Sequence, residues 1–206
     1  MTLAERIVNI IDLNTLTVDE KMQGMKRIAL DEIRMQALKA VPAKAKLSTT
    51  LTKMYKDNAK TEERYTGYVK LDTGFAITDN HYVVRVFDSS PAELLPNSAE
   101  EVKKLTTESV NRLFNNINTD LRHDVTVSYS DVIAHIKLHG RSKKTLKNQI
   151  FSVPNTDLLL NVFYLEYAFK LAQTKELTLK VFDSKHPLYV QGEGWDMIIC
   201  PIRNKK

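Results

Sequence analysis

A helix followed by three strands, read three times along the chain, is the feature that most constrains the fold. The helical segments start near residues 50, 106 and 162, a period of about 55 residues. In the first unit LTKMYKDNAK is the helix, and Tyr65 to Leu71, Phe75 to Thr78 and Tyr82 to Phe87 are the strands. Gly74, in Asp72-Thr73-Gly74, supplies the turn between the first two. Pro91 and Pro96, among Ser89, Ser90 and Asn97, mark a linker. In the second unit Val102, Leu105, Val110, Leu113, Phe114 and Ile117 line one helical face, capped by Thr106 or Thr107. Val125-Val127-Tyr129 and Val132-Ala134-Ile136-Leu138 then alternate as strands, and Gln149 to Val153 makes a third. In the third unit Asn161 caps VFYLEYAFKLAQ, Leu177-Leu179-Val181 alternate, Leu188 to Gln191 follows, and Trp195 to Ile202 closes the chain. Val86-Phe87-Asp88-Ser89 recurs as Val181-Phe182-Asp183-Ser184. Each unit buries one helix face against its strands, so the expected fold class is α+β, with a sheet continued from unit to unit.

Ahead of the repeats the chain reads helical. Thr17-Val18-Asp19-Glu20 has capping-box spacing. Met22, Met25, Ala29, Ile33 and Ala37 recur behind it as a core stripe, and Pro42 closes the segment. Lys21, Lys26, Arg27, Arg34 and Lys39 are its cations. Hydrophobic residues at 43% of 206 allow a sizeable core. No apolar run is long enough for a membrane span, and the N-terminus lacks a signal-peptide pattern, so the expected location is cytoplasmic. Thirty Lys and Arg against 25 Asp and Glu, a formal charge of +5, suit a nucleic-acid partner.

The search for chemistry returns little. Cys200, in the apolar strand MIIC, reads as a small hydrophobe with a high pKa rather than a nucleophile. His123, His135 and His139 cluster in sequence. His135 and His139 fall on alternating strand positions with no Cys or carboxylate at ligand spacing, so no metal site is assigned. No phosphate-binding glycine loop, dinucleotide fingerprint, zinc-protease or hydrolase motif is present, and neither a cofactor nor an enzymatic activity is expected. The densest basic segment is Gly140-Arg141-Ser142-Lys143-Lys144-Thr145-Leu146-Lys147, which reads equally as a solvated turn and as a phosphate-contacting loop.

The segment LNVFYLEYAFKLAQTKELTLKVFDSKHPLYVQGEGWDMIICPIR resembles the C-terminal end of the bacterial sliding clamp family, the beta subunit of DNA polymerase III. Asp183-Ser184 stands at its D-S turn and Cys200-Pro201-Ile202-Arg203 at its M-P-M-R step. Thr78-Asp79-Asn80-His81-Tyr82-Val83 resembles the family motif T-D-G-H-R-L, with Asn80 and Tyr82 in place of Gly and Arg. The resemblance covers about residues 60 to 206, and the chain is little more than half the length of a three-domain bacterial clamp.

The resemblance implies a DNA-clamp-like, ring-forming fold, with a degenerate domain at residues 1–98 carrying extra helix and a full domain at 99–206. In that full domain the helices near 106 and 162 would lie side by side. It implies a processivity factor that encircles duplex DNA without sequence preference and tethers a DNA polymerase, loaded by a clamp loader, in a shortened, virus-like form. Rings of six domains and twelve inner helices imply a homo-oligomer, a trimer rather than a tetramer. The inner cations would be Lys53, Lys56, Lys103, Lys104, Arg112 and Lys170, with Arg141, Lys143, Lys144 and Lys147 on a loop. A peptide cleft for the polymerase would have Thr78, His81, Tyr82 and Val83 on one wall and Ile199, Cys200, Pro201, Ile202 and Arg203 on the other. The alternatives are a clamp-fold binding protein or inhibitor acting on a host clamp, and a basic nucleic-acid-binding domain unrelated to clamps.

Overall fold

The computed structural model describes residues 2–58, 67–102, 105–140 and 148–203. Mixed helices and antiparallel strands make it an α+β fold. The helices are α1 (Leu3–Ile11), α2 (Val18–Lys39), α3 (Pro42–Asn58), α4 (Pro91–Leu94), α5 (Thr107–Asn115), α6 (Tyr129–His139) and α7 (Val162–Ala172). The strands are β1 (Val69–Leu71), β2 (Gly74–Thr78), β3 (Tyr82–Phe87), β4 (His123–Ser128), β5 (Ile150–Ser152), β6 (Leu159–Asn161), β7 (Glu176–Val181), β8 (Leu188–Gly192) and β9 (Trp195–Ile199). One seven-stranded antiparallel sheet runs β1-β2-β3-β9-β8-β7-β4, and β5 and β6 pair separately. Strands from both sides of residue 98 therefore share a single sheet. Among the described residues no helix is long and apolar enough to cross a membrane.

The two sheet faces differ in size of core. Phe75 and Ile77 of β2, Tyr82, Val84 and Val86 of β3, and Trp195, Met197 and Ile199 of β9 point to the large core under α3 and α7. The residues between them, Ala76, Val83, Tyr189 and Ile198, point to a smaller cluster closed by Val110 and Phe114 of α5. This period-two split is what a sheet covered on both faces requires. The helices near 106 and 162 consequently lie on opposite faces, not side by side: α7 packs against α3 instead.

Helix, strand, strand, strand is the observed order at α3-β1-β2-β3; after α7, the short strand β6 precedes it and β7-β8-β9 follow. The expected middle unit fails. Val132-Ala134-Ile136-Leu138 is not a strand but part of α6, with Val132 and Ile136 buried and Leu138 82% exposed. Burial at i and i+4 is helical, and Ser128 starts the helix by accepting the Ser130 N–H at 3.2 Å. The VFDS match also joins unlike places, the end of the third strand β3 and the end of the first strand β7. Pro42 ends the α2 run but opens α3 at its first position, where a missing N–H costs nothing. The Thr17 capping box is formed, Glu20 reaching back to the Thr17 N–H at 2.8 Å.

Two tight turns give direct tests. Gly74 has φ +154, and a Cβ there would lie 1.9 Å from the Val86 carbonyl oxygen. Gly74→Ala is expected to cost about 2–3 kcal/mol of stability, read from a denaturant midpoint. In the β7–β8 connection the Asp183 carboxylate meets the His186 ring at 2.8 Å and accepts the Lys185 and His186 N–H groups at 2.7 and 2.8 Å. The His186 ring contact first, then those N–H donors, hold its pKa down to about 2. The stabilisation is present above the unfolded value of about 3.9 and is lost as pH falls toward 2. His186→Ala should raise the carboxyl midpoint, followed by NMR, toward about 3.9.

Candidate functional site

The outward surface of α3, with Lys170 of α7 at its margin, is one candidate site. α7 is apolar nearly all round because it is enclosed by α3, α6 and the sheet. Asn161 caps it, accepting the Phe163 N–H at 2.9 Å, and Gln173 ends it in a left-handed conformation, φ 53. On α3 the buried side carries Leu51, Met54 and Asp57, while Lys46, Thr49, Lys53 and Lys56 recur on the exposed side. The two helices together hold five lysines and two acids, and both acids are buried.

The lysines sit over a buried polar network. Lys170 pairs with Glu166 at 2.7 Å. Lys53 Nζ stands 5.7 Å above the Tyr167 ring. Burial first, and then the neighbouring Lys170 ammonium, push the Lys53 pKa down. Tyr167 donates its hydroxyl to Asp57, and burial with that carboxylate pushes the phenol well up. Crowded ammonium groups of this kind attract an anion. Of the predicted cations, Lys53, Lys56 and Lys170 fall on this surface. Arg112 does not, because α5 covers the opposite sheet face. Lys103, Lys104, Arg141, Lys143, Lys144 and Lys147 lie outside the described residues. Lys46 was missed; reading Pro42 as a helix start puts it two turns before Lys53 on the same stripe.

The second candidate is where β3 and β9 end. Tyr82 is the register partner of Ile199, and the Cys200 N–H donates to the His81 carbonyl at 2.8 Å. The Ile202 N–H then donates to Leu159 of β6 at 2.8 Å. Pro201, with no N–H to give, sits between these two bonds, past the end of β9. The turn before β3 is self-locked. Thr78 Oγ1 donates to the Tyr82 carbonyl at 2.5 Å, and Asp79 accepts the His81 and Tyr82 N–H groups at 3.0 and 3.3 Å. Asn80 stands at φ 79, a left-handed conformation that Asn tolerates better than most residues.

The two expected walls thus adjoin along the backbone, but most of their side chains turn inward. Thr78, Tyr82, Val83 and Ile199 are all buried. The Tyr82 hydroxyl donates to Asn58 at 3.0 Å, and burial pushes its pKa well up. Tyr82 therefore belongs to the core. His81 is exposed and stacks on Tyr164 at 5.9 Å, and Cys200, Pro201 and Ile202 are half-buried. Burial, reinforced by Asp79, pushes the Cys200 thiol up. Ile202 and Arg203 line a cleft of about 740 Å³ whose other sides are Ser152, Thr156, Asp157, Leu159, Ser184 and Lys185. The cleft opens against the β5–β6 hairpin, not against residues 78–83.

Among the described residues no group of three or more His, Cys, Asp or Glu side chains is placed to hold a metal ion. No family model matches the chain. No curated protein matches it either. Among solved structures, it is similar to the DNA polymerase III beta subunit of Thermotoga maritima, known from a 2.00 Å crystal structure, at 16% identity and a TM-score of 0.35. That match covers 63% of this chain and 41% of that one, so the chain spans less than half the length of the protein it resembles.

Proposed function

We propose that the chain is a sliding-clamp-like processivity factor, a non-enzymatic tether that holds duplex DNA without sequence preference while a polymerase docks on it. One observation carries this reading: α3 and α7 lie side by side on one sheet face, with Lys46, Lys53 and Lys56 turned outward and Lys170 beside them. Phosphate attraction needs cations on a regular scaffold and no base readout. Two helix-plus-three-strand units meet at the β3–β9 pair. With two such helices per chain, twelve inner helices require six copies rather than three or four. The test is anisotropy of two unrelated duplexes in rising salt, with negative-stain microscopy of the protein. Equal affinity and equal salt slope on both sequences, with closed rings in the images, are expected. A tenfold preference for one sequence would contradict the reading.

The polymerase would dock at the cleft beside Ile202 and Arg203. Ile202→Asp is expected to abolish binding of a polymerase tail peptide, while the melting temperature stays nearly unchanged. Peptide binding at the parent level would move the partner site elsewhere.

One observation favours the second reading, a clamp-fold protein that acts on a host clamp. The outer edge of β1 is covered: Tyr68 donates to Glu100 at 2.9 Å, Val102 donates to Tyr68 at 2.8 Å, and Thr107 Oγ1 donates to the Lys70 carbonyl at 2.6 Å. Ring closure by sheet continuation needs an open edge at each end, and β4 alone of the two end strands has no such cover among the described residues. A stable complex with a bacterial clamp, and no self-assembled ring, would decide for this reading.

A further inference from the structure

Strand positions for His135 and His139 would remove them from metal chemistry, and the helix observed there restores it. On α6 they stand at i and i+4, on one face and one turn apart. Their ring centroids are 4.5 Å apart. His135 is half-buried, and its ring meets Phe151 edge-on at 5.6 Å, which fixes the first imidazole. His139 is exposed at the last position of the helix. The end that carries it is tied down by Gln149, whose Nε2 donates to the Gly140 carbonyl at 2.6 Å. The two rings are therefore held close together by packing already present, with one of them open to solvent.

We propose that His135 and His139 form a two-point chelating site for a divalent transition metal, copper(II) or nickel(II). Neutral imidazole suits these ions, and copper heads the affinity order for a given nitrogen site. With metal–nitrogen bonds of about 2.0–2.1 Å, a coordinating ring has its centroid about 3.2 Å from the ion. Two rings at a right angle about the ion then have centroids about 4.5 Å apart, and two at the tetrahedral angle about 5.2 Å. The observed 4.5 Å matches neighbouring positions of a tetragonal ion, the geometry that copper(II) and nickel(II) prefer. Water completes the coordination on the solvent side.

The test is a titration of the full chain with copper(II) sulfate, followed by calorimetry and electron paramagnetic resonance. One ion per chain, with hyperfine splitting from two imidazole nitrogens, is expected. His139→Asn changes an exposed side chain, so it should leave the metal-free melting temperature unchanged and weaken copper binding at least tenfold. His135→Asn should weaken it to the same extent. A variant with His81, His123 and His186 all changed to Asn should bind as the parent does. Absence of copper binding by the parent, parent-like affinity in His139→Asn, or loss of the ion in the triple variant would each overturn the proposal.

Discussion

Arg85→Met is expected to lower the unfolding free energy by about 3–5 kcal/mol. Arg85 on β3 and Asp196 on β9 are register partners, joined by two hydrogen bonds of 2.9 and 2.5 Å. Asp196 is 2% exposed and also accepts the Tyr189 hydroxyl at 3.2 Å. The Arg85 guanidinium in turn lies 3.6 Å from the centroid of the Phe114 ring, so the pair anchors α5 to the sheet. Methionine keeps the apolar stem but leaves the Asp196 charge buried without its cation. The double variant Arg85→Met/Asp196→Leu removes both charges and should recover most of the loss. Urea unfolding of the three proteins measures this. A single variant within about 1 kcal/mol of the parent would mean that the pair contributes no more than an exposed one does.

The pair also marks what the sequence could and could not convey. Strands β2, β3, β7, β8 and β9 were legible because their apolar residues are bounded by turn residues such as Gly74 and Asp183. The caps at Thr17 and Asn161 were legible because a side-chain oxygen next to an apolar periodic run has a local signature. Pairing across the sheet was not. That β3 sits beside β9, that Arg85 finds Asp196, and that α5 takes the second face are consequences of long-range packing. The alternation of α6 misled for a different reason: Ala134 and Leu138 completed a period-two pattern although both are exposed, while the helix signals, Ser128 before it and Gly140 after it, were present. At the C-terminal site the resemblance put His81 and Cys200 on facing walls, and the Cys200 N–H donates to the His81 carbonyl. It did not say that Tyr82 turns into the core, because burial of a side chain at a strand end depends on what lies above it, here Asn58 and Tyr164.

Charge removal on α3 should have the largest effect on DNA. The variant Lys46→Gln/Lys53→Gln/Lys56→Gln is expected to weaken duplex binding at 50 mM salt by roughly 100-fold or more, and to reduce the slope of log affinity against log salt by about 2.7. Lys170 is left in place because it pairs with the buried Glu166, whose charge would otherwise be stranded. Arg112→Gln, on the other face, should change neither quantity by much. If the triple variant kept the parent's affinity and slope, the phosphate contacts would lie elsewhere on the chain.

Retention on DNA of different topology tests the central claim most directly. The protein is placed on a nicked circular plasmid at moderate salt, the salt is raised above the level that dissociates electrostatic contacts, and bound protein is measured before and after the circle is cut once. A tether that encircles duplex DNA stays on the circle at high salt and is lost when the ends appear. Equal loss from circular and linear DNA as salt rises would contradict encirclement and leave a surface that binds phosphate by charge alone.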